Sequence, residues 1–195
     1  MDVRKQDQGG GNVPADTAAV DDPGALLAPH IPALRRYLYV LHNGNLHDAE
    51  DSLQEGLLRA IERLESFRGP AGFKSWLFSV CRNAALDGFR KNRRRREYSG
   101  DWEGLLEGRA STLPGPEELV LSHAQRETVI DALMKLSPRF RMPLMLKEIE
   151  GMSIREISEI LGLPEGTVKS RLSTGRKKLA AQFTRLYAGK GGFEL

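Results

Sequence analysis

The stretch SIREISEILGLPEGTVKSRLSTGRKKL, residues 153–179, decides the fold. Ser153, followed three residues later by Glu156, forms the capping box that starts a helix. Gly162 is suited to the left-handed position that ends this helix. Thr167 can then cap a second helix. The pattern predicts two helices joined by a short turn, which is the helix-turn-helix arrangement.

The second of these helices has a basic outer side. From Gly166 to Tyr187 there are six basic residues and no acidic one. A recognition helix lies in the major groove, where arginine bonds guanine bidentately and serine donates or accepts. The candidate base-reading residues are Thr167, Lys169, Ser170, Arg171, Ser173 and Arg176. A solvated helix pair with one basic face is the alternative, but the turn, the caps and the one-sided charge together favour DNA binding.

Composition restricts the class of protein. The chain has 195 residues and a net charge of +3. No apolar run approaches the roughly 20 residues of a membrane span, and the N-terminus lacks the apolar core of a signal peptide. One cysteine cannot form an internal disulfide, and four scattered histidines lack metal-ligand spacing. The sequence therefore predicts a cytoplasmic protein with no metal, no cofactor and no catalytic residues.

The N-terminal half predicts a disordered tail, residues 1–24, and then two helices. The first runs from about Ala25 to Val40, and the second begins near Asp48. The buried stripe of the second helix is predicted to be Ala49, Leu53, Leu57, Ala60, Ile61, Leu64 and Phe67. Its other side is acidic, and an acidic helix on a DNA-binding protein suits a basic protein partner.

A third helix is predicted from Phe73 to Arg90, and it passes into a run in which six of the seven residues 90–96 are basic. Basic residues beside aromatic ones are what single-strand binding needs. The alternative is that the aromatics are core, which helical spacing favours for Phe73 and Trp76. Cys81, on the same helix, is interpreted as a buried hydrophobe rather than a redox-active thiol.

Residues 97–118 differ in composition from the segments that precede and follow them. They carry six acidic residues against one basic residue, and several glycines and prolines. This composition predicts a flexible linker. Helices resume from about residue 119, with Ser137 as cap and Pro138 at the first position of a restart. The sequence thus predicts an all-α protein, with two small helical domains joined by a flexible acidic linker.

Three stretches then carry a family resemblance: DAEDSLQEGLLRAIERLESFRG, FKSWLFSVCRNAALDGFRKNRRR and LSPRFRMPLMLKEIEGMSIREISEILGLPEGTVKSRL. In this order, with the acidic linker between them, they resemble a bacterial RNA polymerase sigma factor of the sigma-70 family, extracytoplasmic-function (ECF) group. The resemblance implies region 2 over 25–96 and region 4 over 119–187, with a frayed tail at 188–195. It also implies control by an anti-sigma factor.

The resemblance assigns roles to residues of three surfaces. The acidic helix would bind the β′ clamp helices of core RNA polymerase through Asp48, Glu50, Asp51, Gln54 and Glu55, while region 4 meets the β flap. Ser52 departs from the family, which usually has a hydrophobic residue there. The −10 element, read as single strand with a flipped base, would contact Arg68, Asn83, Arg90, Lys91, Arg93 and Arg94. The outer residues of the recognition helix, named above, would read the −35 duplex.

Two other functions remain open at this point. A conventional helix-turn-helix regulator would bind its DNA without polymerase and use residues 25–96 to oligomerise or to sense a ligand. An enzyme acting on nucleic acid would use Asp48, Glu50 and Asp51 as metal ligands. Neighbouring carboxylates on one helix point in different directions, which counts against the enzyme.

Overall fold

The computed structural model describes residues 22–67, 72–99 and 131–187, without the side chains of 66, 92–99 and 183–187. Every regular element in these ranges is helical, and no strand occurs in them. The all-α prediction is therefore confirmed. The predicted N-terminal tail, residues 1–24, lies outside the described residues up to residue 21, but its last two residues are helical and not disordered. The predicted linker, residues 97–118, also begins too early, because residues 97–99 are still helical. The rest of the linker, the start of the next helix and the C-terminal tail lie outside the described residues.

The first half of the molecule is a helical unit of four α-helices. Its elements are α1 (Pro23–Leu27), a 3-10 turn (Ala28–His30), α2 (Ile31–Leu41), α3 (Leu46–Arg63), a second 3-10 turn (Leu64–Ser66) and α4 (Phe73–Ser99). Helix α3 starts two residues before Asp48, because the side chain of Asn45 caps it by accepting the Asp48 amide. Helix α4 continues well beyond the predicted end at Arg90.

Helices α3 and α4 cross at Gly56. A Cβ atom on Gly56 would lie 2.7 Å from Cys81 Sγ and 2.8 Å from Cys81 Cα, so only glycine fits this crossing. Cys81 is fully buried, and burial raises the pKa of its thiol to about 12. A thiol with so high a pKa stays protonated and unreactive. The interpretation of Cys81 as a buried hydrophobe is confirmed.

The predicted buried stripe of α3 is wrong at one position. Leu53 and Ala60 are buried as expected, but Ile61 is 44% exposed. The buried side of α3 includes Ser52 and Gly56, so it is rotated away from Ile61. Leu58, which no stripe included, is 58% exposed. The sequence pattern could not show this rotation, because serine and glycine do not count as apolar residues.

The second half begins with helical residues 131–134. It continues with α5 (Pro138–Leu144), a π-helical turn (Met145–Ile149), α6 (Ile154–Leu161) and α7 (Glu165–Tyr187). Ser137 and Pro138 occupy the cap and first helical positions, as predicted. The π turn ends where the Glu150 amide donates to the Met145 carbonyl, five residues earlier, at 3.2 Å.

Helices α6 and α7 form the predicted helix-turn-helix. The capping box is complete, since the Glu156 amide donates to Ser153 Oγ at 3.2 Å and the Ser153 amide donates to Glu156 Oε2 at 2.8 Å. Gly162 ends α6 with a φ of 64°. The prediction that Thr167 caps α7 is wrong. Helix α7 already begins at Glu165, and the Pro164 carbonyl accepts the Thr167 amide at 2.9 Å.

The two halves also pack against each other. Helix α4 lies against α6, and α2 lies against α5. Buried apolar residues of both halves belong to one contiguous cluster. The two halves correspond to the two predicted helical domains, and within the described residues they pack against each other.

Candidate polymerase and nucleic-acid interfaces

The acidic face of α3 consists of Asp48, Glu50, Asp51, Gln54 and Glu55. Asp51, Gln54 and Glu55 are exposed. Glu50 is half-buried, because its carboxylate accepts a 2.6 Å hydrogen bond from Arg35 Nε. Asp48 is also half-buried and accepts from Asn45 Nδ2 at 2.9 Å. Three of the five predicted residues are therefore exposed to solvent, although Asp51 and Glu55 also contact His47 and Arg59 on the same helix.

Apolar side chains lie exposed beside these acids. Leu58 and Ile61 on α3 are among the large hydrophobic residues that solvent reaches, with Leu46 at the other end of the helix 42% exposed. Exposed leucine and isoleucine next to carboxylates give a surface that is suited to binding through both apolar contact and charge. Sequence reasoning missed Leu58, although the doubled leucine at 57 and 58 was a signal that one of the two faces outward.

Ser52 has a polar partner that explains its place in the core. Its Oγ lies 2.8 Å from His42 Nε2, and the side chain is largely buried. The His42 ring also contacts Phe89, with 4.6 Å between ring centroids. Burial lowers the pKa of His42, against the opposing charges of Asp48 and Asp51. A hydrogen-bonded serine thus stands where the resemblance implied an apolar residue, without leaving its hydroxyl unsatisfied.

A groove runs between α3 and α4, next to the acidic face. Its lining includes Asp51, Glu55, Asp87 and Phe89. Arg59 bridges the two helices, with Nε 2.7 Å from a Glu55 oxygen and Nη1 2.8 Å from Asp87 Oδ2. The hydrogen bond from Arg59 lowers the pKa of Asp87. The groove keeps a surplus of negative charge, and sequence reasoning missed Asp87 because it lies on another helix.

The predicted single-strand surface lies on α4. Asn83, Arg90 and Lys91 are exposed, and Arg90 makes a 3.2 Å ion pair with Asp87. Arg68 and the side chains of Arg93 and Arg94 lie outside the described residues. The three that are described share one helix and remain accessible.

The aromatics beside this surface are mostly core. Phe73 and Phe78 are buried, and Trp76 is half-buried. Trp76 packs against Phe67 and Phe73, with centroid distances of 5.0 and 5.5 Å. The core interpretation is confirmed for Phe73, and the half-buried Trp76 packs against the same core. Phe89, 36% exposed, also remains accessible on α4.

The basic side of α7 carries the predicted duplex-reading residues. Lys169, Ser170, Ser173 and Arg176 are exposed, whereas Thr167 and Arg171 are half-buried. Val168 and Leu172 are buried on the opposite side and fix the rotation of the helix. Basic and hydroxyl side chains therefore project together at the N-terminal part of α7, as base reading requires.

Two of these residues already have hydrogen-bond partners. Arg176 donates to Glu148 Oε1 from Nε at 2.9 Å and from Nη2 at 2.8 Å, and Ser170 donates to the Thr167 carbonyl at 2.9 Å. Both contacts are exposed, so exchanging them for phosphate or base contacts costs little. Lys169 stands 4.0 Å from Glu165.

The described residues contain no cluster of three or more His, Cys, Asp or Glu side chains that could hold a metal ion. Asp48, Glu50 and Asp51 make separate contacts, to Asn45, Arg35 and His47. Within the same residues, no helix is both long and apolar enough to cross a membrane.

Comparison with known proteins defines the class. Residues 26–95 match the family described as Sigma-70 region 2, and residues 126–179 match Sigma-70, region 4. The chain belongs to the sigma-70 family of RNA polymerase sigma factors. Within that family it belongs to the ECF group, since it is 36% identical to the ECF RNA polymerase sigma factor SigW of Bacillus subtilis. That similarity extends over 150 residues, which are 73% of this chain and 79% of SigW.

Other relatives agree with this assignment. The ECF RNA polymerase sigma-E factor of Escherichia coli is 32% identical over 138 residues, covering 68% of this chain and 72% of that protein. Among solved structures, the sigma factor RpoE of Bartonella quintana, in complex with the anti-sigma factor NepR, is similar with a TM-score of 0.67 and 28% identity. The similarity covers 85% of this chain and 98% of RpoE.

Proposed function

We propose that this chain is a dissociable initiation factor that directs core RNA polymerase to promoters with −35 and −10 elements and promotes their melting. The observation that carries the proposal is the separation of charge between two helices. Helix α3 exposes carboxylates beside apolar side chains, and α7 exposes arginine, lysine and serine. An acidic, partly apolar surface is suited to a basic protein, whereas a basic, hydroxyl-bearing helix is suited to duplex DNA.

The acidic face and the neighbouring Leu58 and Ile61 would dock on the β′ clamp helices. Asp51 and Glu55 supply charge that steers the encounter, and the leucine and isoleucine supply apolar area that is buried in the complex. Glu50 contributes less than the sequence predicted, because it is already paired with Arg35.

DNA would be bound at two places. The outer side of α7 would read the −35 duplex, with Arg171 and Lys169 central. Helix α4 and the preceding loop would hold the −10 single strand through Asn83, Arg90 and Lys91, together with Arg68, Arg93 and Arg94. Because the protein would bind the unpaired strand better than the paired one, it would shift the duplex toward the melted state.

The organisation that follows is region 2 over residues 25–96, a linker over 97–118 and region 4 over 119–187, with region 4 also meeting the β flap. The chain would act in the cytoplasm, would need no cofactor and would catalyse no reaction itself. Control by an anti-sigma factor is part of the proposal. It is supported by similarity to RpoE, solved with NepR, and to CnrH, solved with the cytosolic domain of CnrY at a TM-score of 0.58.

Run-off transcription tests the proposal. Bacterial core RNA polymerase would be incubated with a genomic fragment library, with and without this protein. The expected result is a set of new start sites with paired −35 and −10 motifs upstream. Absence of new transcripts, together with tight sequence-specific binding by the protein alone, would instead establish a conventional regulator.

A further inference from the structure

A buried ion pair joins the two halves of the molecule. Arg36 of α2 donates from Nε and Nη2 to the two carboxylate oxygens of Glu150, at 3.1 and 3.2 Å. The side chains of Arg36 and Glu150 are only 10% and 3% exposed. A two-pronged contact between a guanidinium and a carboxylate fixes orientation as well as distance. The pair therefore sets how one half sits on the other.

Two further polar contacts cross the same boundary. Lys74 of α4 donates from Nζ to the main-chain carbonyl of Glu150 at 2.9 Å. Arg141, buried in α5, donates from Nη1 to Asn43 Oδ1 at 3.0 Å and to the Met134 carbonyl at 3.1 Å. Asn43 lies in the turn between α2 and α3 with a φ of 56°. Glu150 is thus held through both its side chain and its backbone.

The position of Glu150 depends on the π turn that precedes it. In that turn the Glu150 amide bonds to Met145, five residues back, rather than four as in an α-helix. One extra residue per turn changes the direction in which the following side chain points, and such turns occur often at functional positions. Here the turn brings a carboxylate to the boundary between the halves, opposite Arg36.

With its two halves packed together, the molecule is too small to contact both promoter elements at once. By their numbering, the −35 and −10 elements are about 25 base pairs apart, which is roughly 85 Å of duplex at about 3.4 Å per pair. A globule of the size described here has a diameter of about 35–40 Å. Helix α4, with the −10 residues, lies directly against α6 of the helix-turn-helix. One body of this size cannot place α4 and α7 on both elements at once.

We propose that Arg36 and Glu150 form an interdomain latch that keeps the free chain closed, and that this latch opens before both promoter elements are bound. The second clause rests on the proposed function, whereas the first concerns the free chain alone. A buried ion pair suits a reversible latch, because both charges regain water when the halves separate. A partner that binds only the open form would then shift the population toward it.

Pulsed electron paramagnetic resonance on the free, full-length chain tests the latch. Spin labels would be attached at Glu62→Cys on α3 and Lys177→Cys on α7, both exposed positions. The native Cys81 can stay in place, since it is fully buried and does not label. The expected result for the otherwise unchanged chain is one narrow distance distribution.

Glu150→Lys places two cations at the boundary. Since it removes one partner of a buried pair, it should shift the closing equilibrium about 100- to 1000-fold toward the open form and broaden the distribution to longer distances. Glu159→Lys is the matched control, because it makes the same change at an exposed site on α6. The control should leave the distribution narrow.

A charge swap separates opening from unfolding. Arg36→Glu combined with Glu150→Arg should recover the narrow distribution at least partly, and the helix content measured by circular dichroism should stay unchanged in every variant. A broad distribution in the unsubstituted chain would overturn the latch. A Glu150→Lys chain as narrow as the unsubstituted one would overturn it as well.

Addition of core polymerase tests the second clause. The labelled, unsubstituted chain should lengthen its distance when polymerase binds. If run-off transcription works but the distance stays short, opening is not required and that clause is wrong. If run-off transcription fails, the proposed function fails, while the distances of the free chain still decide whether the latch exists.

Discussion

Helices α3 and α7 pack in a similar way but carry opposite charge. Each buries a narrow stripe against a neighbouring helix, α3 against α4 and α7 against α5. Helix α3 has five acidic residues and two arginines, whereas α7 has six basic residues and one acidic residue. The difference teaches that the buried stripe fixes where a helix lies, while the exposed side determines which partner it binds.

The two helices also differ in how closely they approach the backbone of the helix that they pack against. Both have glycine at the point of closest approach. At Gly56 an added Cβ would meet the backbone of Cys81 at 2.8 Å, whereas at Gly175 it would meet Leu144 Cδ1 at 3.0 Å. A backbone atom cannot move aside, but the end of a leucine side chain can change rotamer. The crossing at Gly56 therefore tolerates a larger residue less well than the crossing at Gly175.

The largest expected effect comes from reversing the charge of α3. Asp51→Lys combined with Glu55→Lys should weaken binding to core polymerase by about 4 kcal/mol, roughly 1000-fold, because two cations would face a basic partner. Binding of the isolated chain to a −35 duplex should not weaken. Fluorescence titration of labelled chain with core polymerase measures the first quantity, and a gel-shift titration measures the second.

Neutral substitutions provide the control for that reversal. Asp51→Asn combined with Glu55→Gln removes the attraction without adding repulsion, so its loss of affinity should fall between the original chain and the double lysine variant. Equal affinity of all three chains would show that α3 does not face a basic partner.

The second prediction concerns the two glycines. Gly56→Ala should lower the free energy of unfolding by about 3 kcal/mol, because the new methyl group overlaps the backbone of Cys81. Gly175→Ala should cost less than about 1 kcal/mol, since Leu144 can yield and alanine favours the helix. Urea denaturation followed by circular dichroism gives both values. An equal loss of unfolding free energy in the two variants would contradict this difference in packing between the two helix crossings.

A third, smaller effect is expected on the basic side of α7. Arg171→Ala should weaken binding to the −35 duplex by about 1–3 kcal/mol, through loss of a base contact, and leave polymerase binding unchanged. Arg155→Ala is the matched control, since Arg155 is exposed on α6 outside the recognition helix. An equal loss for both variants would point to general charge attraction rather than base reading.

The smallest effect is a pH dependence in the α3 half. Burial lowers the pKa of His42 below its ordinary value of 6.5, so the unfolded chain binds more protons than the folded one as the pH falls past that value. Stability should be fully present above that pH and decrease below it. Urea midpoints at about pH 7.5 and about pH 5.5 measure the change.

His42→Asn should reduce that pH dependence. It should not abolish it, because burial, aided by Lys74, also lowers the pKa of His30. The double variant with His30→Asn should be flatter still. A His42→Asn chain with the same pH dependence as the original would show that His42 is not protonated on unfolding in this range.

The sequence predicted the fold well where the structure depends on contacts between residues that are close together in the chain. The capping box at Ser153 and the left-handed Gly162 are short-range features, and both are present. Which side of α3 is buried was not predictable. Ser52 and Gly56 belong to its buried side only because they contact His42 and Cys81 on other parts of the chain. Hydrophobic periodicity therefore placed Ile61 inside when it is exposed.

The residue types of the candidate site were predictable from the sequence, but which of them are free to contact a partner was not. The acids of α3 and the bases of α7 are visible in the sequence, yet the Arg35 contact that occupies Glu50 joins residues 15 positions apart. The Arg36–Glu150 pair spans 114 positions and is buried. Such long-range contacts follow from packing, which no local pattern encodes.

Photo-crosslinking in the complete complex tests the central claim most directly. A benzophenone amino acid would replace Leu58 on α3 or Thr174 on α7, in a complex of the chain, core polymerase and a promoter fragment. We predict that position 58 crosslinks to the largest polymerase subunits and position 174 crosslinks to DNA near −35. Crosslinks from position 58 to DNA, or from position 174 to polymerase alone, would contradict the assignment of the two helices to two partners.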